Sequence, residues 1–317
     1  HTSDLHLGKR MHGYSLEEDQ RHILGEIIKA LENEKPDALI IAGDIYDRSS
    51  PGEDAIDLFS NFLMDANKIC KTFMIGGNHD SGTRLDYCDG IMKNSGIYIA
   101  GNFKGKIEKT ELSDEHGTVN IWMLPFFRIS EIKEVSGKDI KNYEEAMAWL
   151  LKSSGIDPKE RNILISHQFF IDKNCSLRFS DSEDQRHEVG GIPDIPADCL
   201  EAFDYVALGH LHIPQSVGRN TVSYSGSPLK YSKSECGEDK SVCMVDLGKK
   251  GDISVSRIPL KPVRDVLLVK GTVSDILGAA SKDPAERNDF YYIELTERVS
   301  TDELSRCYPN ILNIEYV

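Results

Sequence analysis

Asp4 and His6, Asp44, Asn78 and His79, His167, and His210 and His212 each stand at or just past a short apolar run flanked by glycine or serine. The runs at 39–42, 72–75, 162–166 and 203–208 have the length and β-branched or aromatic content of buried strands. Strand carboxyl ends of a parallel-type sheet share one edge, so side chains from position 4 to position 212 can converge there. The set is carboxylate, imidazole and amide oxygen, with no thiolate. That mixture suits hard to borderline divalent ions such as Mn²⁺ or Fe²⁺ better than zinc. The seven ligand-type residues Asp4, His6, Asp44, Asn78, His167, His210 and His212 exceed what one ion takes once water and substrate have room. Two ions sharing a carboxylate, about 3.5–4 Å apart, fit better.

Taken singly, each position has an ordinary explanation. Asp44 alone is a loop cap, an Asp-x-His near a chain start is incidental, and Asn78-His79-Asp80 is a turn. A strand-end His167 is most often a satisfied polar residue. Gly209-His210-Leu211-His212 is more specific, because two His at spacing two point the same way only in extended backbone. Accidents at five strand ends together are a poor account of the pattern. The remaining His12, His22, His116 and His187 read as surface residues, and His1 receives no role.

The positioning elements follow from periodicity and punctuation. Ser15-Leu16-Glu17-Glu18 has the form of a capping box, and Ile23, Ile27 and Leu31 continue a helix to about residue 34. Pro36-Asp37 ends it and leads into the strand before Asp44, a unit of parallel sheet. A second helix after Gly52 has Ala55, Leu58, Phe59, Phe62 and Ala66 on its apolar face, and strands follow at 72–75 and 97–100. Segments 106–112 and 119–124 flank a hairpin turn, a helix covers 143–153, and a strand ends on His167. Residues 172–191 read as a long polar loop bordering the site. Strands at 221–224, 242–247 and 253–258 suggest the far side of a two-sheet core. From about residue 260 a small α+β unit alternates strand and helix. Almost no strand precedes Asp4, so the first strand is either very short or mostly missing from the sequence.

Bulk composition bounds the class. With 39% hydrophobic and 28% charged residues the chain is globular, and no apolar run reaches the roughly 18 residues of a membrane span. The absence of a signal-like start points to the cytoplasm. Seven scattered Cys without a C-x-x-C pair read as reduced thiols. A formal charge of −15 argues against holding nucleic acid by bulk electrostatics, but not against nucleic acid as substrate, since bound cations add local positive charge.

In order and completeness, Asp4-x-His6, Gly43-Asp44-x-x-Asp47, Gly77-Asn78-His79-Asp80, the lone His167 and Gly209-His210-x-His212 resemble the calcineurin-like metallophosphoesterase superfamily. Stretches 1–10, 203–215 and 224–232 are similar more narrowly to its SbcD/Mre11 family of nuclease subunits, the bacterial SbcD branch in particular. The likeness is strong over residues 1–260 and positional beyond. It implies a four-layer α/β/β/α core (1–259) with a small C-terminal α+β capping, DNA-recognition domain (260–317). By the same resemblance Asp4, His6, Asp44 and His212 would hold one ion, and Asp44, Asn78, His167 and His210 the other, with Mn²⁺ foremost. His79 would act at the scissile phosphate as an acid or transition-state stabiliser, with Asp80 orienting its ring.

The resemblance further implies 3′→5′ double-strand exonuclease and single-strand endonuclease activity on DNA in repair, recombination and hairpin processing. It implies two-fold homodimers through helices around 50–69 and 84–93, and a nucleoid-associated activity. An SbcC/Rad50-like SMC ATPase would bind through a segment beyond the capping domain that this sequence lacks. Lys9, Arg10, Tyr46, Arg48 and Arg84 could line the open groove that a nuclease needs, and read equally well as solvated surface. A phosphomonoesterase or cyclic-nucleotide phosphodiesterase of the same superfamily, and a DNA-end-binding scaffold with a vestigial metal site, are the alternatives.

Overall fold

In the computed structural model, which describes residues 1–172, 176–183, 194–280, 288–298 and 300–317, alternation along the strands decides the architecture. Successive strand side chains face opposite ways, so an unbroken apolar run must be covered on both sides. Leu39, Ile41 and Met74 enter one apolar cluster, while Ile40, Ala42, Phe73 and Ile75 enter a second. Across that second cluster lie Ile121, Met123, Ile163, Ile165, Tyr205 and Ala207, whose sequence neighbours Trp122, Leu124, Leu164, Val206 and Leu208 face a third. Helices Glu17–Glu34 and Glu53–Asn67 cover the first cluster through Ile23, Ile27, Leu58 and Phe62. Helices Ile129–Ser136 and Tyr143–Ser154 cover the third through Ile132, Ala146, Met147 and Leu150. The layers run helix, sheet, sheet, helix.

One inner sheet is parallel throughout, with strands Ala38–Ile41, Lys71–Ile75 and Ile97–Ala100 in that order. The start of the chain joins it as a single bridge. Thr2 N donates to Ile40 O at 2.9 Å and Ala42 N donates to Thr2 O at 2.9 Å. The other inner sheet has six strands in the order Gln215–Val217, Arg219–Tyr224, Tyr205–Leu208, Arg161–Ser166, Gly117–Leu124 and Glu108–Asp114. Its middle strands are parallel and each edge strand is antiparallel.

The C-terminal residues build a further parallel sheet from Val266–Gly271, Phe290–Leu295 and Ile311–Tyr316. Tyr291, Ile293 and Leu295 pack with Ile276 of helix Val273–Ala280, Leu304 of helix Thr301–Cys307 and its C-cap residue Tyr308. The alternate residues Phe290 and Tyr292 join the first cluster of the main core. No helix among the described residues is long and apolar enough to cross a membrane.

One local expectation changes. Ser15 does not cap the first helix, which begins at Glu17 with Leu16 as N-cap and no side-chain cap bond. Ser15 instead belongs to strand Tyr14–Ser15, paired with Arg10–Met11, and the acidic Glu17, Glu18 and Asp19 meet the positive helix end. Strands Ser241–Leu247 and Ile253–Pro259 form a hairpin that joins the start of the chain, Cys243 N donating to His1 O at 2.9 Å and His1 N to Cys243 O at 2.8 Å, and Val245, Leu247 and Val255 pack against the inter-sheet cluster. Helix Ile129–Ser136, at eight residues, is too short for its period to stand out in the sequence. Residues 173–175 and 184–193 of the expected 172–191 loop, with His187, lie outside the described residues.

Phe73 is fully buried between the sheets, its ring stacked 4.7 Å from that of Tyr98. Phe73→Ala should therefore lower the unfolding free energy by about 3–5 kcal/mol in urea titration. A loss under about 1 kcal/mol would contradict a close-packed inter-sheet layer.

Candidate metal centre

Both inner sheets end at the same edge, and the turns leaving it carry the ligand-type residues. The first turn is zipped alongside the Asp44 turn, with Asp4 N donating to Gly43 O and His6 N to Asp44 O, both at 3.0 Å. Gln20 of the first helix donates Nε2–H to His6 O at 2.7 Å and accepts from Gly8 N at 3.0 Å, while Tyr231 OH donates to Leu5 O at 2.6 Å. Asp4, His6, Asp44 and His210 have φ of 53°, 45°, 51° and 95°. Left-handed backbone is strained for residues with a Cβ, and Asp, Asn and His tolerate it best. These are four of the seven non-glycine residues with positive φ among the described residues, so the strain is concentrated where side chains must be turned inward.

Within the cluster, His6 Nε2 lies 3.0 Å from His212 Nε2 and 3.6 Å from Asp44 Oδ2. On its other side Asp44 Oδ2 is 3.3 Å from His167 Nε2, which is also 3.1 Å from Asn78 Oδ1. Asn78 Oδ1 is in turn 3.1 Å from His210 Nδ1. Asp4 is buried beside both groups, accepting from Ser3 Oγ at 2.5 Å and from His210 N at 3.0 Å, with its Oδ1 4.0 Å from His167 Nε2. Ligand atoms of Asp4, His6 and His212, of His6, Asp44 and His79, and of Asp4, Asp44 and His167 each fall within 4.8 Å of one another. Proximity thus puts Asp4 beside both groups and admits His79 to one.

Glycines make room for this convergence. A Cβ on Gly77 would stand 2.1 Å from Asp44 Oδ1, and one on Gly209 would stand 2.1 Å from Ala42 O and 2.7 Å from His167 Nδ1. His167 Nδ1 donates to Ala42 O at 2.7 Å, leaving Nε2 for the centre.

The role expected for Asp80 is corrected. Its carboxylate accepts from the backbone N–H groups of Ile45, Tyr46 and Gly77 at 3.1, 3.0 and 2.9 Å, bracing the turns that carry Asp44 and Asn78. The His79 ring is set by Asp47, whose carbonyl accepts from Nδ1 at 2.9 Å, while His79 N donates to Asp44 Oδ1 at 2.9 Å. The resemblance implied that Asp80 bonds the His79 ring, whereas the ring's Nδ1 partner is the Asp47 carbonyl. Asp47 also holds Lys9, at 2.8 Å, and the Lys9 ammonium sits 5.5 Å above the Tyr231 ring. Arg48 is largely exposed beside Asp47, and Arg84 Nη2 donates to Ser50 Oγ at 3.4 Å. Arg10 turns back to Gly13 O, and Tyr46 packs on Phe59.

Sequence reasoning missed the support around His212. Ser182 Oγ is 2.7 Å from His212 Nδ1, Glu183 Oε1 accepts from His212 N at 2.7 Å, and Lys240 Nζ donates to His212 O at 2.8 Å. Ser182 and Glu183 sit in the polar loop expected to border the site, where the absence of periodicity singles out neither residue. Away from the centre, His12 bonds Tyr292 OH at 3.2 Å, His22 bonds Lys261 O at 3.0 Å, and His1 bonds Tyr205 OH at 2.8 Å.

The electrostatics fit divalent cations. Burial drives the His6 imidazole well below its ordinary range and His212 down to about 3, so both are neutral donors. Burial pushes Asp4 up to about 7 and Asp80 up to about 6, the latter reinforced by the charge of Asp44. Asp44 goes the other way: burial works to raise it, but His167 beside it holds it well below the carboxylate range. For His167 burial works downward and Asp44 outweighs it, lifting the ring to about 9. A proton on His167 therefore balances a buried carboxylate, the task a bound cation would take over.

The family described as Calcineurin-like phosphoesterase matches residues 1–214, and the chain belongs to it. The SbcD component of the SbcCD nuclease of Staphylococcus epidermidis is 36% identical over 327 residues, spanning 100% of this chain and 84% of the relative. The same component from Staphylococcus saprophyticus is 33% identical over 326 residues, spanning 98% and 82%. Within the phosphoesterases the chain is thus a member of the SbcD family of nuclease subunits, metal-dependent phosphodiester hydrolases. A solved structure of GAP50, the anchor in the inner membrane complex of Plasmodium, aligns over 82% of this chain and 87% of that one at TM-score 0.43 and 13% identity, too distant to bear on function. The nuclease reading stands above the small-substrate phosphatase and scaffold alternatives.

Gly77→Ala should displace the Asp44 carboxylate and weaken Mn²⁺ binding at least about tenfold in calorimetry. Unchanged affinity would contradict the packing of Gly77 against Asp44.

Proposed function

We propose that the chain is the nuclease subunit of an SbcCD complex, cleaving DNA as a 3′→5′ double-strand exonuclease and single-strand endonuclease with two Mn²⁺ ions. The observation that carries this is the position of Asp44 Oδ2, between His6 Nε2 at 3.6 Å and His167 Nε2 at 3.3 Å, where one carboxylate oxygen reaches both half-sites. Asp4, His6, Asp44 and His212 would hold one ion, and Asp44, Asn78, His167 and His210 the other. Bound ions supply positive charge that neutralises the phosphodiester oxygens and lowers the pKa of an attacking water.

The chain's own groups do the rest. His79 donates Nδ1–H to Asp47 O, so its partly exposed Nε2, 4.0 Å from Asp44 Oδ2, faces the centre, where it would carry a proton. That proton serves the leaving 3′ oxygen as acid or as charge stabiliser. Asp80 keeps the Asp44 and Asn78 turns in register. Lys9 and Arg48 border the centre and suit a phosphate backbone.

Residues 260–317 would act as the capping domain over a 1–259 nuclease domain, held by Arg264 Nε to Asp19 Oδ1 at 2.9 Å and Lys233 to Glu294 at 2.7 Å. The names of the relatives support a complex with an SbcC-type partner and a nuclease substrate; the partner's being a Rad50-like SMC ATPase, and DNA ends or hairpins in the bacterial nucleoid as the substrate, follow from the resemblance of the motifs. Exposed Ile56, Met64, Tyr87 and Ile91, on or beside helices Glu53–Asn67 and Asp89–Asn94, support a homodimer contact there.

A labelled duplex should be degraded with Mn²⁺ and left intact with chelator. His79→Ala should bind Mn²⁺ normally yet cleave at least about 100-fold more slowly; full activity would remove His79 from the chemistry. In calorimetry Asp44→Asn should cost both ions, whereas His6→Ala or His167→Ala should mainly weaken one. Loss of a single ion in Asp44→Asn would contradict the bridge.

A further inference from the structure

Three rings at the centre have an Nδ1 turned away from it towards a partner, and the partners differ in kind. His167 and His79 donate to the backbone carbonyls of Ala42 and Asp47, acceptors that settle the tautomer by themselves. His212 Nδ1 meets the Ser182 hydroxyl, at 2.7 Å, which can donate or accept. The direction of that bond decides whether His212 Nε2 carries a lone pair or a hydrogen, and only the lone pair can bind a cation.

The groups behind Ser182 decide it. Ser182 Oγ lies 2.9 Å from Glu235 Oε1, on a carboxylate that is fully buried. Lys240 Nζ bonds the other oxygen, Oε2, and is itself buried. Burial works to raise the Glu235 carboxyl, but Lys240 outweighs it and holds the group at about 2, so it is ionised and accepts only. Ser180 Oγ at 2.6 Å, Ser232 Oγ at 2.9 Å and Tyr231 N at 3.2 Å converge on the same Oε1, and Ser180 Oγ is also 2.7 Å from Ser182 Oγ. An anionic hub turns the hydrogens of surrounding hydroxyls towards itself and their lone pairs outward. For Ser182, outward is His212 Nδ1. The peptide of His212 is held by the same cluster, through Glu183 at its N–H and Lys240 at its carbonyl.

We propose that Ser182 and Glu235 are positioning residues: a hydrogen-bond chain from Glu235 through Ser182 fixes the His212 proton on Nδ1 and leaves its Nε2 lone pair facing the metal centre. The significance for metal binding rests on the reading of His212 as a ligand. The chain joins a loop to a segment 53 residues away, so docking of residues 176–183 and presentation of His212 are one event.

The test uses the full chain, metal-free, with ¹⁵N-labelled histidine. Wild type should show the His212 ring as a single Nδ1–H tautomer. Ser182→Ala leaves the Glu235–Lys240 pair intact and should lose that single tautomer. Its Mn²⁺ affinity should fall about 10- to 100-fold, its metal-free melting temperature should stay near wild type, and Ser182→Thr should restore both readouts. Glu235→Gln strands a buried ammonium, so it is read only if the variant folds, and should then also mix the tautomers. A wild-type ring spectrum in Ser182→Ala, or an Nε2–H ring in the wild type, overturns the proposal. Unchanged Mn²⁺ affinity in His212→Ala would overturn the ligand reading instead, which the metal-free ring spectrum does not depend on.

Discussion

A carboxylate sealed from solvent must find a compensating charge or hydrogen bonds, and at Asp44 that requirement organises the molecule. Asp44 is 2% exposed, sits in left-handed backbone, and has imidazole nitrogens on two sides of one oxygen. An isolated ion in such surroundings would cost several kcal/mol, so the protein needs a proton on His167 or bound cations to complete it. Glycines at 77 and 209 leave the space, and Asp80 ties the turns on which Asp44 and Asn78 ride. The metal centre is in this sense a folding constraint as well as a chemical one.

Two facing sheets meet that constraint in a way that one could not. Asp4, His6, Asp44 and Asn78 leave the parallel three-stranded sheet and its N-terminal bridge, whereas His167, His210 and His212 leave the six-stranded sheet. The interdigitated layer of Phe73, Ile75, Ile163 and Tyr205 sets the distance between the two sources. Packing far from the chemistry therefore controls the separation of the two sets of ligand-type residues.

Much of this was legible in the sequence because buried strands and their glycine stops are local signals. The runs before Asp44, Asn78, His167 and His210 are strands in the structure, and the alternation within them carries the layer order. What escaped depended on tertiary partners. Ser15 has the chemistry of an N-cap but is taken by a two-residue β-bridge, which no local pattern announces. Asp80 adjoins His79 yet serves three backbone amides, because a side chain's neighbours in space are set by the turns around it. Ser182 and Glu235 belong to segments without periodicity, and only their docking on His212 gives them meaning. The expected two-sheet core is present, and the ligand-type residues are divided between its two sheets at their common edge.

The central claim is that Asp44 bridges two ions, and a crystal grown with Mn²⁺ tests it most directly. Anomalous scattering should reveal two peaks about 3.5–4 Å apart, with an Asp44 oxygen touching both, His6 and His212 on one side, and Asn78, His167 and His210 on the other. A single peak, or two peaks of which Asp44 contacts only one, would contradict it.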